Sequence, residues 1–233
     1  MVRYAVLAAG FDGTLACDGR YDQRGIAALR ALAASGRKLI LATSRELRDL
    51  LDIFPEVRLF DYVVAENGAV LHCPAVRESA ILAQAPSELL IHALRRRGVQ
   101  PLSIGSVGVT TGGSAREAVI SEIENLRLDC QVIDNGRTLA VMPAGVNKAS
   151  GVSIALEELG LSPRNLIAIG DAQNDAALLE LAEHGVAVAN AAPMLKRLAD
   201  RVTRAAYADG VQELVLDLLE SDRTDTPAAH AIA

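Results

Sequence analysis

Asp171 and Asp175 stand four residues apart in the segment Gly170-Asp171-Ala172-Gln173-Asn174-Asp175, directly after an apolar run at 166–169. Where a strand gives way to a helix, that spacing lets two carboxylates face one hard cation, and Mg²⁺ prefers oxygen ligands while keeping several waters. Lys148 opens a helical segment after 143–146, Thr43 and Ser44 follow a strand-like run at 38–42, and Asp12-Gly13-Thr14-Leu15 follows another at 4–9. Carboxylates, a cation and small hydroxyls are the residue types that phosphoryl transfer needs, because that chemistry is mostly charge management around the phosphoryl oxygens. Taken singly, each segment has a plainer reading as a turn, a helix cap or a solvated acid. Their shared placement at the ends of buried strands, where open α/β sheets hold ligands, predicts one pocket. The histidines, at 72, 92, 184 and 230, fall in no nucleophile or metal-ligand spacing.

The elements that must position these residues alternate. Runs at 4–9, 38–42, 62–65, 166–169 and 186–188 are short, rich in Val, Ile, Leu and Ala, and not alternating, as strands buried on both faces of a parallel sheet must be. Between and after them, 22–35, 149–159, 191–200 and 211–219 carry helical periodicity, and the first two stop at Gly36 and Gly160. The predicted core is a doubly wound parallel α/β (Rossmann-like) fold built from 1–72 and 143–220. Residues 73–142 read differently, with a strand at 80–82, a helix at 87–97, a strand at 102–110, a helix at 114–126, and strands at 130–134 and 137–142. The Asn135-Gly136 pair between those last two is a strong hairpin signal, so the insertion is α+β with antiparallel pairing. The stretch 221–233 lacks apolar periodicity and is expected to be disordered.

Bulk composition bounds the partners. The 233 residues are 51% hydrophobic and 22% charged, enough for a substantial core. A formal net charge of -6 argues against nucleic acid or an anionic membrane as the main partner. Arg95, Arg96 and Arg97 form the one basic run, near a helix end where cations suit the dipole, and read as a solvated face. Cys17, Cys73 and Cys130 are odd in number and widely spaced, unlike a disulfide framework or zinc site, and suit a reducing cytoplasm. No apolar stretch approaches the length that spans a bilayer.

Residues 10–15 resemble the first motif of the haloacid dehalogenase superfamily of phosphohydrolases, Asp-x-Asp-Gly-Thr-Leu, with Gly10 in place of its first aspartate. Together with Thr43-Ser44-Arg45, Glu66-Asn67-Gly68-Ala69, Lys148 and the Gly170–Asp175 segment, the chain is similar to the Cof-type branch, which carries a type IIB cap between its second and third motifs. The resemblance covers residues 4–219 and implies Mg²⁺ held by Asp12, Asp171 and Asp175. It implies phosphate contacts from Thr43, Ser44, Lys148 and Asn174, or an orienting role for Asn174, with Asp171 as direct metal ligand, Asp175 in support, and Asp12 as general acid and base whose backbone carbonyl reaches the metal. The implied substrate is a small phosphorylated metabolite of the sugar-phosphate kind, and residues 73–142 become the cap that would select it. In that family the missing aspartate attacks phosphorus and binds the metal. Residues 10 and 12 of an extended backbone point to the same side roughly 6–7 Å apart, so Asp12 does not reach the nucleophile's place. Two readings follow: a Mg²⁺-dependent phosphomonoesterase impaired at Gly10, or a non-catalytic phosphometabolite-binding or regulatory protein using the same cleft.

Overall fold

The uniformly apolar runs become strands whose residues are buried on both faces. In the computed structural model, which describes residues 4–85 and 87–224, β1 (Val6–Gly10) leads through the short strands β2 (Ala16–Cys17) and β3 (Arg20–Tyr21) to α1 (Gln23–Ala34). Then come β4 (Lys38–Ala42), α2 (Leu47–Ile53), β5 (Tyr62–Ala65), β6 (Val70–Cys73) and β7 (Glu78–Ile81). The second unit holds α3 (Glu88–Arg96), β8 (Leu102–Ile104), β9 (Val109–Gly112), α4 (Arg116–Asn125), β10 (Cys130–Asp134) and β11 (Thr138–Pro143). The chain returns through α5 (Lys148–Glu158), β12 (Leu166–Gly170), α6 (Ala176–Leu181), β13 (His184–Ala187), α7 (Pro193–Leu198), β14 (Arg201–Val202) and α8 (Tyr207–Thr224).

The large sheet runs β14-β13-β12-β1-β4-β5-β6-β7, parallel from β14 to β5. Helix α1 packs on α8, and α5 packs on α6, so two helical layers cover a sheet whose central strands β1 and β12 are buried at every residue. From β1 the chain moves outward to β4 and β5 on one side and later fills β12, β13 and β14 on the other. That reversal opens a crevice at the carboxyl ends of β1, β4 and β12, where Asp12, Thr43 and Asp171 fall. The second sheet, β10-β11-β9-β8, is antiparallel throughout. Helices α3 and α4 bury Leu90, Leu94, Val119 and Ile123 against Val109 and Val141 of its strands. A smaller apolar cluster of Ala69, Val107, Ala140 and Met142 joins this cap to the core.

Three local expectations are corrected. Residues 78–81, assigned to the insertion that begins at 73, are hydrogen-bonded to the large sheet: β7 pairs with β6, and His72 Nδ1 meets Ser79 Oγ at 2.9 Å. The strand expected at 102–110 breaks into β8 and β9, because the Gly105 N–H donates to the Gly108 carbonyl at 2.9 Å and turns the chain. Residues 221–224, expected to be disordered, continue α8. Asp222 there grips the buried Arg37 guanidinium at 2.7 and 2.8 Å, a contact 185 positions away in the chain. The rest of the expected tail, 225–233, lies outside the described residues. Arg95, Arg96 and Arg97 lie exposed at the end of α3, where Arg97 pairs with Glu122 and donates to Ser121. Among the described residues no helix is long and apolar enough to cross a membrane.

Candidate functional site

Asn147 caps α5: its side chain accepts from the Ser150 N–H at 3.1 Å, and Ser150 Oγ accepts from the Asn147 N–H at 3.0 Å. The cap makes Lys148 the first helical residue and sets its side chain inside the crevice. There Lys148 Nζ donates to Asp175 Oδ1 at 2.6 Å, with only 6% and 1% of the two side chains exposed. Asp175 Oδ2 accepts the backbone N–H groups of Asp171 and Ala172 at 3.0 and 3.1 Å, so both of its oxygens are engaged. Gly170 permits this fit, since a Cβ there would lie 2.6 Å from Asp175 Cβ.

Asp171 projects from the end of β12, and its Oδ1 accepts the Thr14 hydroxyl at 2.9 Å. Burial, then the charge of Asp175, push the Asp171 carboxyl up to about 6 against the opposing hydrogen bond from Thr14 and charge of Lys148. The Asp12–Leu15 turn passes close by. Gly13 has φ +77°, and a Cβ on it would come 2.0 Å from Asp171 Oδ2, so the turn needs glycine on both counts. Asn190 fastens this turn to α8, donating from Nδ2 to the Gly13 carbonyl at 2.8 Å and accepting the Tyr207 N–H at 2.8 Å.

Asp12 faces the cleft in a two-pronged pair with Arg45, Nε to Oδ2 at 2.6 Å and Nη2 to Oδ1 at 2.7 Å. That carboxylate raises the Arg45 pKa further, chiefly through the hydrogen bond. Thr43 Oγ1 accepts the Arg45 N–H at 3.1 Å, which leaves its own O–H available, and the Ser44 hydroxyl has no protein partner. Asn174 donates from Nδ2 to Asn67 Oδ1 at 3.3 Å and to Asn135 Oδ1 at 2.9 Å, while its own Oδ1 is buried without a partner. Asn135 belongs to the turn between β10 and β11, so the cap reaches the chamber through this contact. Glu66 holds a second cap turn by accepting the N–H groups of Ser106 and Val107, each at 3.1 Å.

The structure therefore brings Asp12, Thr43, Ser44, Lys148, Asp171 and Asn174 around one cavity of about 140 Å³. Asp175 stands behind Lys148. The cavity shares Asp12, Ser44, Asn135 and Asp171 with an outer cleft of about 970 Å³ whose wall also includes Arg137 and Thr138 of the cap. Gly10 ends β1 opposite Ala42, and an ideal Cβ on it would lie 3.8 Å from Asp175 Oδ1 and 2.8 Å from Thr14 Oγ1. Sequence reasoning assigned no role to Thr14, Asn135 or Asn190. For Asn135 the only local signal is a hairpin turn, which says nothing of the core residue it meets.

The resemblance implies Asp12, through its backbone carbonyl, Asp171 as direct ligand and Asp175 in support around one Mg²⁺; in the structure Asp12 and Asp171 line one cavity and Asp175 stands behind Lys148. Asp12 is held by Arg45 and Asp175 is saturated by Lys148 and two N–H groups, which leaves Asp171 Oδ2 as the unpaired carboxylate oxygen of the three. Among the described residues no three His, Cys, Asp or Glu side chains gather as a set able to hold a metal. Asp171 is thus the one of the three that would hold Mg²⁺ by its carboxylate, with Asp175 behind it and waters or phosphate oxygens filling the remaining positions. Asn174, expected to contact phosphate or to orient its neighbours, spends its donors on Asn67 and Asn135.

Fold and site define a cap-bearing Rossmann-like α/β hydrolase scaffold. A haloacid dehalogenase-like hydrolase family model matches residues 7–99 and 109–215, and the chain belongs to that family. It is 33% identical over 218 residues to a phosphoglycolate phosphatase of Methanothermobacter thermautotrophicus, covering 90% of this chain and 96% of that protein. A phosphoglycolate phosphatase of Halorubrum lacusprofundi is 32% identical over 225 residues, covering 91% and 96%. The fold matches a haloacid dehalogenase-like hydrolase from Bacteroides thetaiotaomicron with a TM-score of 0.80 at 22% identity, over 92% of this chain and 99% of the other. It matches a subclass IIB sugar phosphatase with a TM-score of 0.75 at 21% identity, over 91% and 98%.

Proposed function

We propose that this chain binds a small phosphorylated metabolite with its phosphate in the Lys148 chamber, and that hydrolysis is lost or strongly impaired because Gly10 stands where the family's nucleophilic aspartate belongs. The observation that carries the reading is the place of Gly10: its missing side chain would enter the site beside the Lys148–Asp175 pair, 3.8 Å from the carboxylate. Lys148, Thr43 and Ser44 supply the donors for phosphoryl oxygens. The outer cleft, whose lining residues are mostly polar or charged, suits a hydroxylated leaving group of sugar size, with room beyond a two-carbon acid such as that of phosphoglycolate. Asp12 carries the resemblance's acid–base assignment, and its grip on Arg45 would have to loosen before it could exchange a proton. Removing a nucleophile in a serine protease costs on the order of 10⁶ in turnover.

The test is Gly10→Asp. Release of phosphate from a generic aryl phosphate in the presence of Mg²⁺, well above the unmodified chain, supports a phosphatase site silenced at one position. Inactivity of a folded Gly10→Asp protein across a panel of phosphorylated metabolites would leave only the non-catalytic reading. That second reading is favoured by the paired state of Asp12, which is not poised as a free acid or base.

A further inference from the structure

We infer that Asn135, at the tip of the cap, is a phosphate ligand: its side-chain NH₂ donates to an oxygen of the phosphoryl group held in the Lys148 chamber. The inference rests on the phosphate-chamber reading above and adds to it a donor supplied by the cap. Among the described residues Asn135 is the one member of the cap that lines the chamber of about 140 Å³, and it lines the outer cleft as well. A phosphomonoester with its phosphate in the chamber and its leaving group in the cleft therefore passes directly beside this side chain.

The amide is fixed at one end and open at the other. Asn135 Oδ1 accepts from Asn174 Nδ2 at 2.9 Å, while Asn135 Nδ2 has no acceptor among the described residues. Reversing the amides of Asn67, Asn174 and Asn135 together would make Asn174 bury two N–H donors where it now buries one acceptor without a partner, a costlier arrangement. The backbone beneath Asn135 is held firmly. Its N–H donates to the Thr138 carbonyl at 2.9 Å, the Gly136 N–H donates to Asp134 Oδ1 at 2.8 Å, and Arg116 of α4 pairs with Asp134 Oδ2 at 2.6 Å. Arg116 thereby compensates the one carboxylate in this turn. The Asn135 NH₂ is neutral, so it gives the phosphate a charge-assisted hydrogen bond without altering the balance of carboxylates and cations around it. One side chain then serves both cap docking and phosphate binding, which links the two.

The test is a titration of the full chain with inorganic phosphate in excess Mg²⁺, read by calorimetry and by the side-chain amide resonances of Asn135 and Asn174. One Asn135 NH₂ proton should move downfield as phosphate is added, saturating with the Kd that calorimetry gives. Phosphate should also slow amide exchange in the hairpin of β10 and β11. Asn135→Ala should weaken binding roughly tenfold, the loss of one hydrogen bond to a charged group. An Asn135 resonance that stays in place at saturating phosphate would overturn the inference while leaving the phosphate chamber intact, because it would reduce Asn135 to a docking contact. Movement of the Asn174 NH₂ in place of that of Asn135 would overturn it as well, since the three amides would then face the other way. A Kd in Asn135→Ala within about twofold of the unmodified chain would show that no such bond forms. Absence of phosphate binding to the unmodified chain would overturn the chamber reading itself, and the inference with it.

Discussion

Breaking the Lys148–Asp175 pair from either side should cost different amounts, and breaking both sides should cost much less than the sum. The partners meet at 2.6 Å with side chains 6% and 1% exposed, so neither charge can turn to water when the other is removed. Loss of one partner of a buried ion pair costs about 3–5 kcal/mol, against a total stability of about 5–15 kcal/mol for a domain. Lys148→Met should fall near ~3 kcal/mol, because Asp175 keeps the two N–H groups of Asp171 and Ala172 on Oδ2. Asp175→Asn should reach ~4–5 kcal/mol. Its amide oxygen can keep those N–H groups, but its NH₂ then confronts the Lys148 ammonium, donor against donor, deep in the crevice. In the double variant the buried ammonium and carboxylate are both gone, so the cost should be ~3–4 kcal/mol, about 4 kcal/mol below the sum of the single losses. Urea denaturation of the four proteins, followed by circular dichroism, closes the cycle, provided the m-values agree. Single losses that add within about 0.5 kcal/mol would mean the pair does not exist in solution. The chamber would then lack its fixed cation.

The raised Asp171 carboxyl predicts a pH signature. Its folded pKa of about 6 lies above the ordinary carboxylate value, so the protonated form is favoured by folding; that stability is full below about pH 4 and is lost as pH rises through 6. A two-unit elevation corresponds to ~3 kcal/mol at most, and Asp171→Asn should remove it, flattening the stability profile between about pH 4 and 6. A profile for Asp171→Asn parallel to that of the unmodified chain would contradict the environment built by Asp175, Lys148, Asp12 and Thr14. Asp222→Ala should cost ~2–4 kcal/mol by leaving the Arg37 guanidinium buried without its carboxylate. A thermal midpoint unchanged by that substitution would argue against α8 extending past residue 220. Asn135→Ala removes the 2.9 Å contact to Asn174 and should cost about 1 kcal/mol while speeding amide exchange in the hairpin of β10 and β11. Equal exchange rates there would show that the cap tip is not held at the chamber.

The parallel core was legible because burial on both faces leaves a mark that local sequence carries: runs of Val, Ile, Leu and Ala that do not alternate. The runs at 38–42 and 62–65 coincide with β4 and β5 to the residue. Asp22 and Ser35, taken as the ends of a helix, are the two caps of α1. What stayed hidden depends on partners distant in the chain. The strand 78–81, expected at 80–82 within the insertion, is exposed at each residue, so nothing local says which sheet it joins; only its ladder with β6 makes it part of the large one. The last turn of α8 depends on Arg37, and Asp12 reads as a free carboxylate until Arg45 is brought beside it by the adjacency of β1 and β4. The site's membership was visible in residue types. Its hydrogen-bond economy was not.

Gly10 shows why fold and chemistry separate at this site. It is the last residue of β1, buried and in register with Ala42, and its backbone supports the sheet as an aspartate's would. No layer of the core depends on a side chain there, so the strand pattern, the switch point and the cap insertion all persist without it. The packing has nonetheless closed around the smaller residue. Thr14 places Oγ1 2.8 Å from where a Cβ on Gly10 would stand, and that hydroxyl is committed to Asp171 at 2.9 Å. Restoring a carboxylate therefore asks Thr14 to move by a few tenths of an ångström and to loosen its hold on Asp171, the carboxylate without a cation in contact. The cost is on the order of 1–3 kcal/mol, typical of a small-to-large change in a packed interior. The fold is thus indifferent to a side chain at position 10, while the packing around Thr14 resists one, and the phosphate-release test of Gly10→Asp reads both at once.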